Sequence, residues 1–240
     1  MTRHRVAIAA SILTADFGNL YRVIRKLERA GVDRLHLDVM DGHFVPNLTF
    51  GPDVVSAIRG LTRLPLDAHL MISEPSRYVD RFLDAGSDSV TFHVEIDESD
   101  ESKRGTLEAI RSAGRAAGLA ISPATPVDAL EPFIDLLDVV MVMTVQPGWG
   151  GQRFITECMP KIDQARQAFA ARGRAPRIDV DGGVNRETAA FAGAEGADVL
   201  VVGSALFQRR LDTSLEVEAV RQRAVTAREA RRAGAPVGAR

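Results

Sequence analysis

Two histidines and three aspartates stand at corresponding places in three short runs of the chain. "HLDVMDGHFVPN", residues 36–47, sets His36 and Asp38 two apart. "DAHLM", residues 67–71, carries His69, and "RIDVDGG", residues 177–183, carries Asp179 and Asp181. Successive side chains of an extended strand point to opposite faces. Leu35, Leu37 and Val39 therefore share one face of the first run, and His36, Asp38 and Met40 share the other. In the second run Leu66, Ala68 and Leu70 oppose His69 and Met71; in the third Ile178 and Val180 oppose Asp179 and Asp181. Taken singly, each has an ordinary explanation: a hydrogen-bonded core histidine, or a strand-end aspartate acting as a cap. Four groups on three strands with matching parity make a constellation. His36, Asp38, His69 and Asp181 form a two-imidazole, two-carboxylate donor set, which suits a divalent transition metal, Zn²⁺ first and Fe²⁺, Mn²⁺ or Co²⁺ next.

Two carboxylates flanking one cation can do what a single base cannot. One takes a proton from a carbon beside a ketone, and the other returns a proton to the opposite face, inverting the centre. An aspartate with an ordinary pKa of about 3.9 is a weak base for such a C–H. A metal closes the gap by stabilising the enediolate charge as it develops. Met40 and Met71 share faces with the donor set, and Met141 and Met143 share a face of another run. Methionine fills irregular gaps, and thioethers can equally roof a reacting centre against water. Glycines add a third feature. Gln146-Pro147-Gly148-Trp149-Gly150-Gly151-Gln152, Asp181-Gly182-Gly183 and Gly203-Ser204 follow three consecutive strand-like runs. One such pair would pass for a turn. Three in register point to a phosphate site built from backbone N–H groups, which glycine lets approach an anion closely.

These residues need a scaffold, and the chain spells one out. Eight short aliphatic or β-branched runs begin at Val6, Arg34, Pro65, Ser89, Gly118, Asp138, Arg177 and Asp198. Between them lie helical patterns over 19–30, 76–85, 106–117, 158–171, 186–194 and 214–232, several closed by a Gly-x-Asp signature that marks a left-handed cap before the next strand. Strand and helix in alternation imply a parallel sheet. Eight units in 240 residues fit a closed (β/α)8 TIM barrel as a single domain over 1–232, with a frayed basic tail over 233–240. An open Rossmann-type sheet would want a glycine-rich fingerprint after its first strand, where Ser11-Ile12-Leu13-Thr14 stands instead. In the barrel, the inward faces converge at the C-terminal ends of the strands.

Composition narrows the function classes. A formal net charge of -2 gives no reason to expect nucleic acid or an anionic membrane. No apolar run approaches the ~20 residues of a membrane span, the segment from Val6 lacks a signal-peptide pattern, and a cytoplasmic location is the default. The single Cys158 rules out an internal disulfide or a cysteine metal cluster. Only Lys26, Lys103 and Lys161 are lysines, and all are expected on helices, which removes Schiff-base aldolases that need one inside the barrel. An Asp-x-Lys decarboxylase-type site is also missing, since Val39 and Met40 separate Asp38 from Asp41.

"ASILTADFGNL", "HLDVMDGHFVPNLTFGP", "DAHLMISEP", "VMTVQPGWGGQRF", "VDGGVN" and "VVGSALF" resemble the motifs of the ribulose-phosphate 3-epimerase family, in order, to about Phe207. The resemblance implies a metal-dependent isomerase of the pentose phosphate pathway that interconverts D-ribulose 5-phosphate and D-xylulose 5-phosphate. By matching position it makes Asp38 the proton acceptor and Asp181 the proton donor, with His36, Asp38, His69 and Asp181 holding the metal. Ser11, His69, Gly148, Trp149, Gly150, Gly151, Asp181, Gly182, Gly183, Gly203 and Ser204 would meet substrate and its phosphate, and Met40, Met71 and Met143 would cap the enediolate. A homo-oligomer acting on a small ketose phosphate is implied too. Trp149 stands where the family usually has phenylalanine, Ser122 where asparagine or lysine is common, and Gln146 where glutamate or asparagine is. A 3-epimerase for allulose 6-phosphate shares the metal set and is the alternative enzyme; a sugar-phosphate-binding barrel without catalysis is the alternative from another class.

Overall fold

A computed structural model describes residues 6–208 and 212–234. Eight parallel strands close in chain order, with the last paired to the first. They are β1 (Ala7–Ser11), β2 (Arg34–Met40), β3 (Leu66–Met71), β4 (Ser89–His93), β5 (Ala116–Ile121), β6 (Val139–Met143), β7 (Arg177–Asp181) and β8 (Val199–Val202). Around them run α1 (Leu20–Ala30), α2 (Pro52–Leu61), α3 (Pro75–Asp84), α4 (Asp100–Ser112), α5 (Pro160–Ala170), α6 (Ala189–Glu195) and α7 (Thr213–Arg232). The fold is the single-domain (β/α)8 TIM barrel that the alternation predicts. Residues 235–240 of the expected tail lie outside the described residues; Ala233 and Gly234 close α7 with backbone bonds to Glu229 and Arg231.

Parity builds the barrel wall. Leu35, Leu37 and Val39 of β2 face outward and join one continuous core with Leu66, Ala68 and Leu70 of β3 and with Ile24, Leu27, Val55 and Ile58 of α1 and α2. Removing that apolar surface from water drives the assembly, at about 25 cal/mol per Å². The expected glycine caps are present: Gly31 ends α1 at φ 77° and Gly196 ends α6 at φ 95°.

The helical layer departs from its periodicity in three places. α4 begins at Asp100 rather than near residue 106, because the Ser99 side chain accepts from Ser102 N and caps it; β5 then claims Ala116 and Ala117, which pair with Ser89 and Val90 of β4. α2 is a helix where the periodic pattern marks none, entered through Pro52 in its first turn. Between β5 and β6 the chain makes a 3₁₀ helix, Val127–Phe133, instead of an α-helix; Pro132 inside it has no N–H to offer a longer ladder.

Inside the barrel the inward side chains lie in layers. A lower ionic layer joins Arg34 Nη1 to Asp67 Oδ1 at 2.9 Å and Arg177 Nη2 to Asp179 Oδ2 at 2.7 Å. Asp179 shares the inward face of Asp181 but belongs to this layer, two residues below the mouth. Small side chains of β1 and β8, Ala9, Val199 and Val201, pack together within the barrel. Above the ionic layer, toward the mouth, sit His36, Asp38, His69 and Asp181, with Asp181 level with Val201. Among the described residues no helix is long and apolar enough to cross a membrane.

Candidate metal centre and active-site cleft

Register brings the donor set together. β2 and β3 pair with Asp38 opposite His69 and Met40 opposite Met71, while β1 sets Ser11 opposite His36. β7 lies across the mouth and contributes Asp181, opposite Met143 of β6. One ligand atom from each of His36, Asp38, His69 and Asp181 lies within 4.8 Å of the others. His36 Nε2 is 3.3 Å from His69 Nδ1, 3.4 Å from Asp38 Oδ1 and 3.7 Å from Asp181 Oδ2. His69 Nδ1 is 3.2 Å from Asp38 Oδ1 and 3.5 Å from Asp181 Oδ2.

These separations fit a cation. Bonds of about 2.1 Å in a tetrahedral site place ligand atoms roughly 3.4 Å apart, and the five distances above straddle that value. Two imidazole nitrogens aimed at each other beside two carboxylate oxygens is the donor chemistry of a divalent metal site. Without the cation the four side chains must share protons instead. Burial pulls His36 down, but the Asp38 carboxylate, with Asp181 and Asp67 beyond it, outweighs this and raises His36 to about 9. His69 moves the same way: burial is opposed and overcome by bonds to Asp181 and Asp38. Burial would raise Asp38, yet the two imidazoles hold it well below the usual carboxylate range.

Asp38 divides its oxygens between two tasks. Oδ1 faces the histidines, and Oδ2 accepts a 2.6 Å bond from Ser11 Oγ. Ser11 and both aspartates line a narrow cleft at the mouth. Met40, Met71 and Met143 also line it, as do Gly203 and Ser204 after β8. Its rim is the loop after β6, where Gly148, Trp149, Gly150 and Gly151 all reach the cleft and Trp149 is half exposed. Asn47 Nδ2 donates to Gly148 O at 2.7 Å and ties this loop to the one after β2. Gly182 and Gly183, at φ 114° and 66°, also line the cleft and pack against the segment after β6; a Cβ on Gly182 would lie 2.4 Å from Val145, and one on Gly183 2.7 Å from Phe154 N.

The cleft thus gathers every expected site residue except His36 and His69, whose rings lie fully buried beneath it. Asp41 takes a separate part. Its Oδ1 accepts from the N–H groups of His43 and Phe44, and its Oδ2 from Ser73 N and Oγ. Burial would raise it, but these bonds bring it to about 2, so it staples the turn after β2 rather than exchanging protons. Lysine is absent from the interior wall as expected: Lys26, Lys103 and Lys161 lie on α1, α4 and α5.

Two polar residues escaped the sequence reading. His93, the last residue of β4, is fully buried, and its Nε2 lies 3.0 Å from His69 Nε2. Its Nδ1 lies 3.0 Å from Glu95 Oε2. The alternation that located His69 also turns Ser89, Thr91 and His93 inward, so the signal was present in "SVTFHVE".

Comparison with known proteins agrees with this geometry. The profile of the "Ribulose-phosphate 3 epimerase family" matches residues 7–207. The ribulose-phosphate 3-epimerase of Bacillus subtilis (strain 168) is 46% identical over 203 residues, covering 84% of this chain and 92% of that one. The chloroplastic ribulose-5-phosphate-3-epimerase of Arabidopsis thaliana is 45% identical over 202 residues, covering 84% and 72%. Among solved structures, 3-hexulose-6-phosphate synthase from Salmonella typhimurium superposes with a TM-score of 0.69 at 19% identity, covering 92% of this chain and 99% of that one; a likeness at that identity concerns the fold alone.

Proposed function

The chain belongs to the ribulose-phosphate 3-epimerase family, and from that membership we propose that it interconverts D-ribulose 5-phosphate and D-xylulose 5-phosphate by passing a proton through Asp38 and Asp181 on opposite faces of the sugar. The observation that carries this reading is the placement of those two carboxylates. They come from β2 and β7, across the mouth from each other, and each sends one oxygen to His36 and His69 while the cleft opens above both.

The ketose carbonyl lies at C2 and the proton to be moved at C3. Asp38 Oδ2, held by Ser11 Oγ, takes the C3 proton of ribulose 5-phosphate, leaving an enediolate. Asp181 then donates a proton to the other face of C3, giving the epimer. One carboxyl must be ionised while the other is protonated, and each turnover exchanges the two states; the reverse reaction uses them with roles swapped. A divalent cation bound by His36, Asp38, His69 and Asp181 supplies stabilisation of the negative charge that develops on the substrate oxygens. The N₂O₂ donor set suits Zn²⁺, with Fe²⁺, Mn²⁺ and Co²⁺ as the other candidates. Met40, Met71 and Met143 keep water from the planar intermediate. The backbone at Gly182, Gly183, Gly203 and Ser204 receives the phosphate, and Trp149 with Gly148, Gly150 and Gly151 covers the sugar.

A homo-oligomer is part of the proposal. Phe17 packs on Phe50 with ring centroids 5.7 Å apart, and exposed Leu48 stands two residues from Phe50 on the same loop; light scattering of the purified chain reads its mass.

The experiment for the reaction is proton exchange. Turnover of ribulose 5-phosphate in D₂O should yield xylulose 5-phosphate carrying deuterium at C3, with kcat/KM higher than for a six-carbon ketose phosphate. A barrel that only binds would incorporate none, and a preference for the hexose phosphate would reassign the substrate.

A further inference from the structure

Beyond the four metal-site residues, a line of hydrogen bonds runs outward from His69 through β4. His69 Nε2 lies 3.0 Å from His93 Nε2, His93 Nδ1 lies 3.0 Å from Glu95 Oε2, and Glu95 Oε1 accepts from Ser122 N at 2.7 Å. We propose that His93 and Glu95 are positioning residues that fix the tautomer and ring orientation of His69, so that its Nδ1 lone pair faces the cation. The inference rests on the cation-site reading of His36, Asp38, His69 and Asp181.

The polarity of the line follows from its outer end. An ionised carboxylate only accepts, and Glu95 is ionised: burial would raise it, but His93, Thr125 and Ser122 bring it to about 2. His93 Nδ1 therefore carries the hydrogen and donates outward. Ser122 Oγ, 3.5 Å from the same nitrogen, is a longer acceptor on the same side and leaves the polarity unchanged. A neutral imidazole protonated at Nδ1 has its lone pair at Nε2, and the atom facing that lone pair is His69 Nε2. His69 must then donate from Nε2, which leaves its lone pair on Nδ1, the atom placed 3.2 Å from Asp38 Oδ1 and 3.3 Å from His36 Nε2. Reversed polarity would put a hydrogen on the ligand nitrogen and bar it from a metal. Metal-binding histidines commonly carry such an outer partner, whose loss costs 10- to 100-fold in affinity.

Packing holds the line in place. The His93 ring lies between His69 and Phe44, with centroids 5.1 Å and 4.8 Å away. Lys161 Nζ donates to the carbonyls of Ser122, Pro123 and Thr125 and so pins the loop whose N–H holds Glu95. Ser122 thus takes part through its backbone N–H.

The test uses the full-length chain, stripped by chelation and titrated with Co²⁺, alongside Glu95→Gln, His93→Gln and His69→Ala. Glu95→Gln keeps the shape but offers one acceptor oxygen where His93 and Ser122 N need two. It should bind Co²⁺ 10- to 100-fold more weakly with an altered d–d spectrum, while its metal-free form still unfolds in a single cooperative transition, at a lower temperature for the donor left unpaired. In ¹⁵N spectra of Zn²⁺-loaded wild type, His69 should be protonated at Nε2 and His93 at Nδ1. Co²⁺ affinity in Glu95→Gln and His93→Gln equal to wild type, or His69 protonated at Nδ1, would overturn the positioning role. If wild type and His69→Ala bind Co²⁺ alike, the cation-site reading itself fails, a different result from either.

Discussion

Without metal, the cluster should show its strain as a dependence of stability on pH. His36 is raised from 6.5 to about 9 by Asp38, Asp181 and Asp67 against the opposing effect of burial. A histidine whose folded pKa exceeds its unfolded value stabilises the fold fully below the unfolded value, and that contribution is lost as pH rises through the folded value. The window is therefore about pH 6.5 to 9. At 1.36 kcal/mol per unit, a rise of this size corresponds to about 3 kcal/mol for His36, and His69 shifts in the same direction. His93 moves the other way, burial lowering it, so its effect falls below pH 6.5 and leaves the window clear. Urea unfolding of chelator-stripped protein at pH 6.5, 7.5 and 9 should show a decline of a few kcal/mol. Zn²⁺-loaded protein should lose less, because a ligating imidazole is already neutral, and metal uptake near pH 7 should release protons measurable with an indicator dye. A stripped protein equally stable at pH 6.5 and pH 9 would refute the idea that these imidazoles hold protons in place of a cation.

Other perturbations follow from the same geometry. Asp38→Asn and Asp181→Asn each remove an acid/base group and a metal ligand together, so steady-state epimerisation should fall by well over 10²-fold. Chelation should inactivate the enzyme and a divalent metal restore it; full activity in rigorously metal-free protein would contradict the site. Gly183→Ala places a side chain at φ 66° and against Phe154 N, which should cost about 1–2 kcal/mol of stability for the backbone conformation alone and raise KM, as melting curves and steady-state kinetics would read. Asn47→Ala removes the bond to Gly148 O, worth about 0.5–1.5 kcal/mol, and should raise KM roughly 2- to 12-fold with kcat little changed.

The barrel was legible because eight aliphatic or β-branched runs alternate with helical patterns, and because inward polar residues near strand ends stand out against the aliphatic outer face. The same rule found His36, Asp38, His69 and Asp181. It did not give depth. Asp179 has the parity of Asp181, and only the register of β7 against β6 and β8 puts it in the ionic layer with Arg177. His93 has the inward parity of its run, but its partners, His69 and Glu95, lie on a neighbouring strand and beyond the end of its own, so its link to the donor set is visible only once the strands are assembled. Helix ends were less legible than strands. The cap at Ser99, the proline entry to α2 and the 3₁₀ turn around Pro132 depend on local hydrogen bonds that periodicity does not register.

The central claim is that two carboxylates serve opposite faces of one carbon, and isotope exchange in the single variants tests it most directly. With ribulose 5-phosphate in D₂O and metal content checked, Asp181→Asn should still exchange the C3 proton slowly through Asp38 without forming xylulose 5-phosphate. Asp38→Asn should exchange only xylulose 5-phosphate. Exchange of the same epimer by both variants, or near-normal epimerisation by either, would contradict the account.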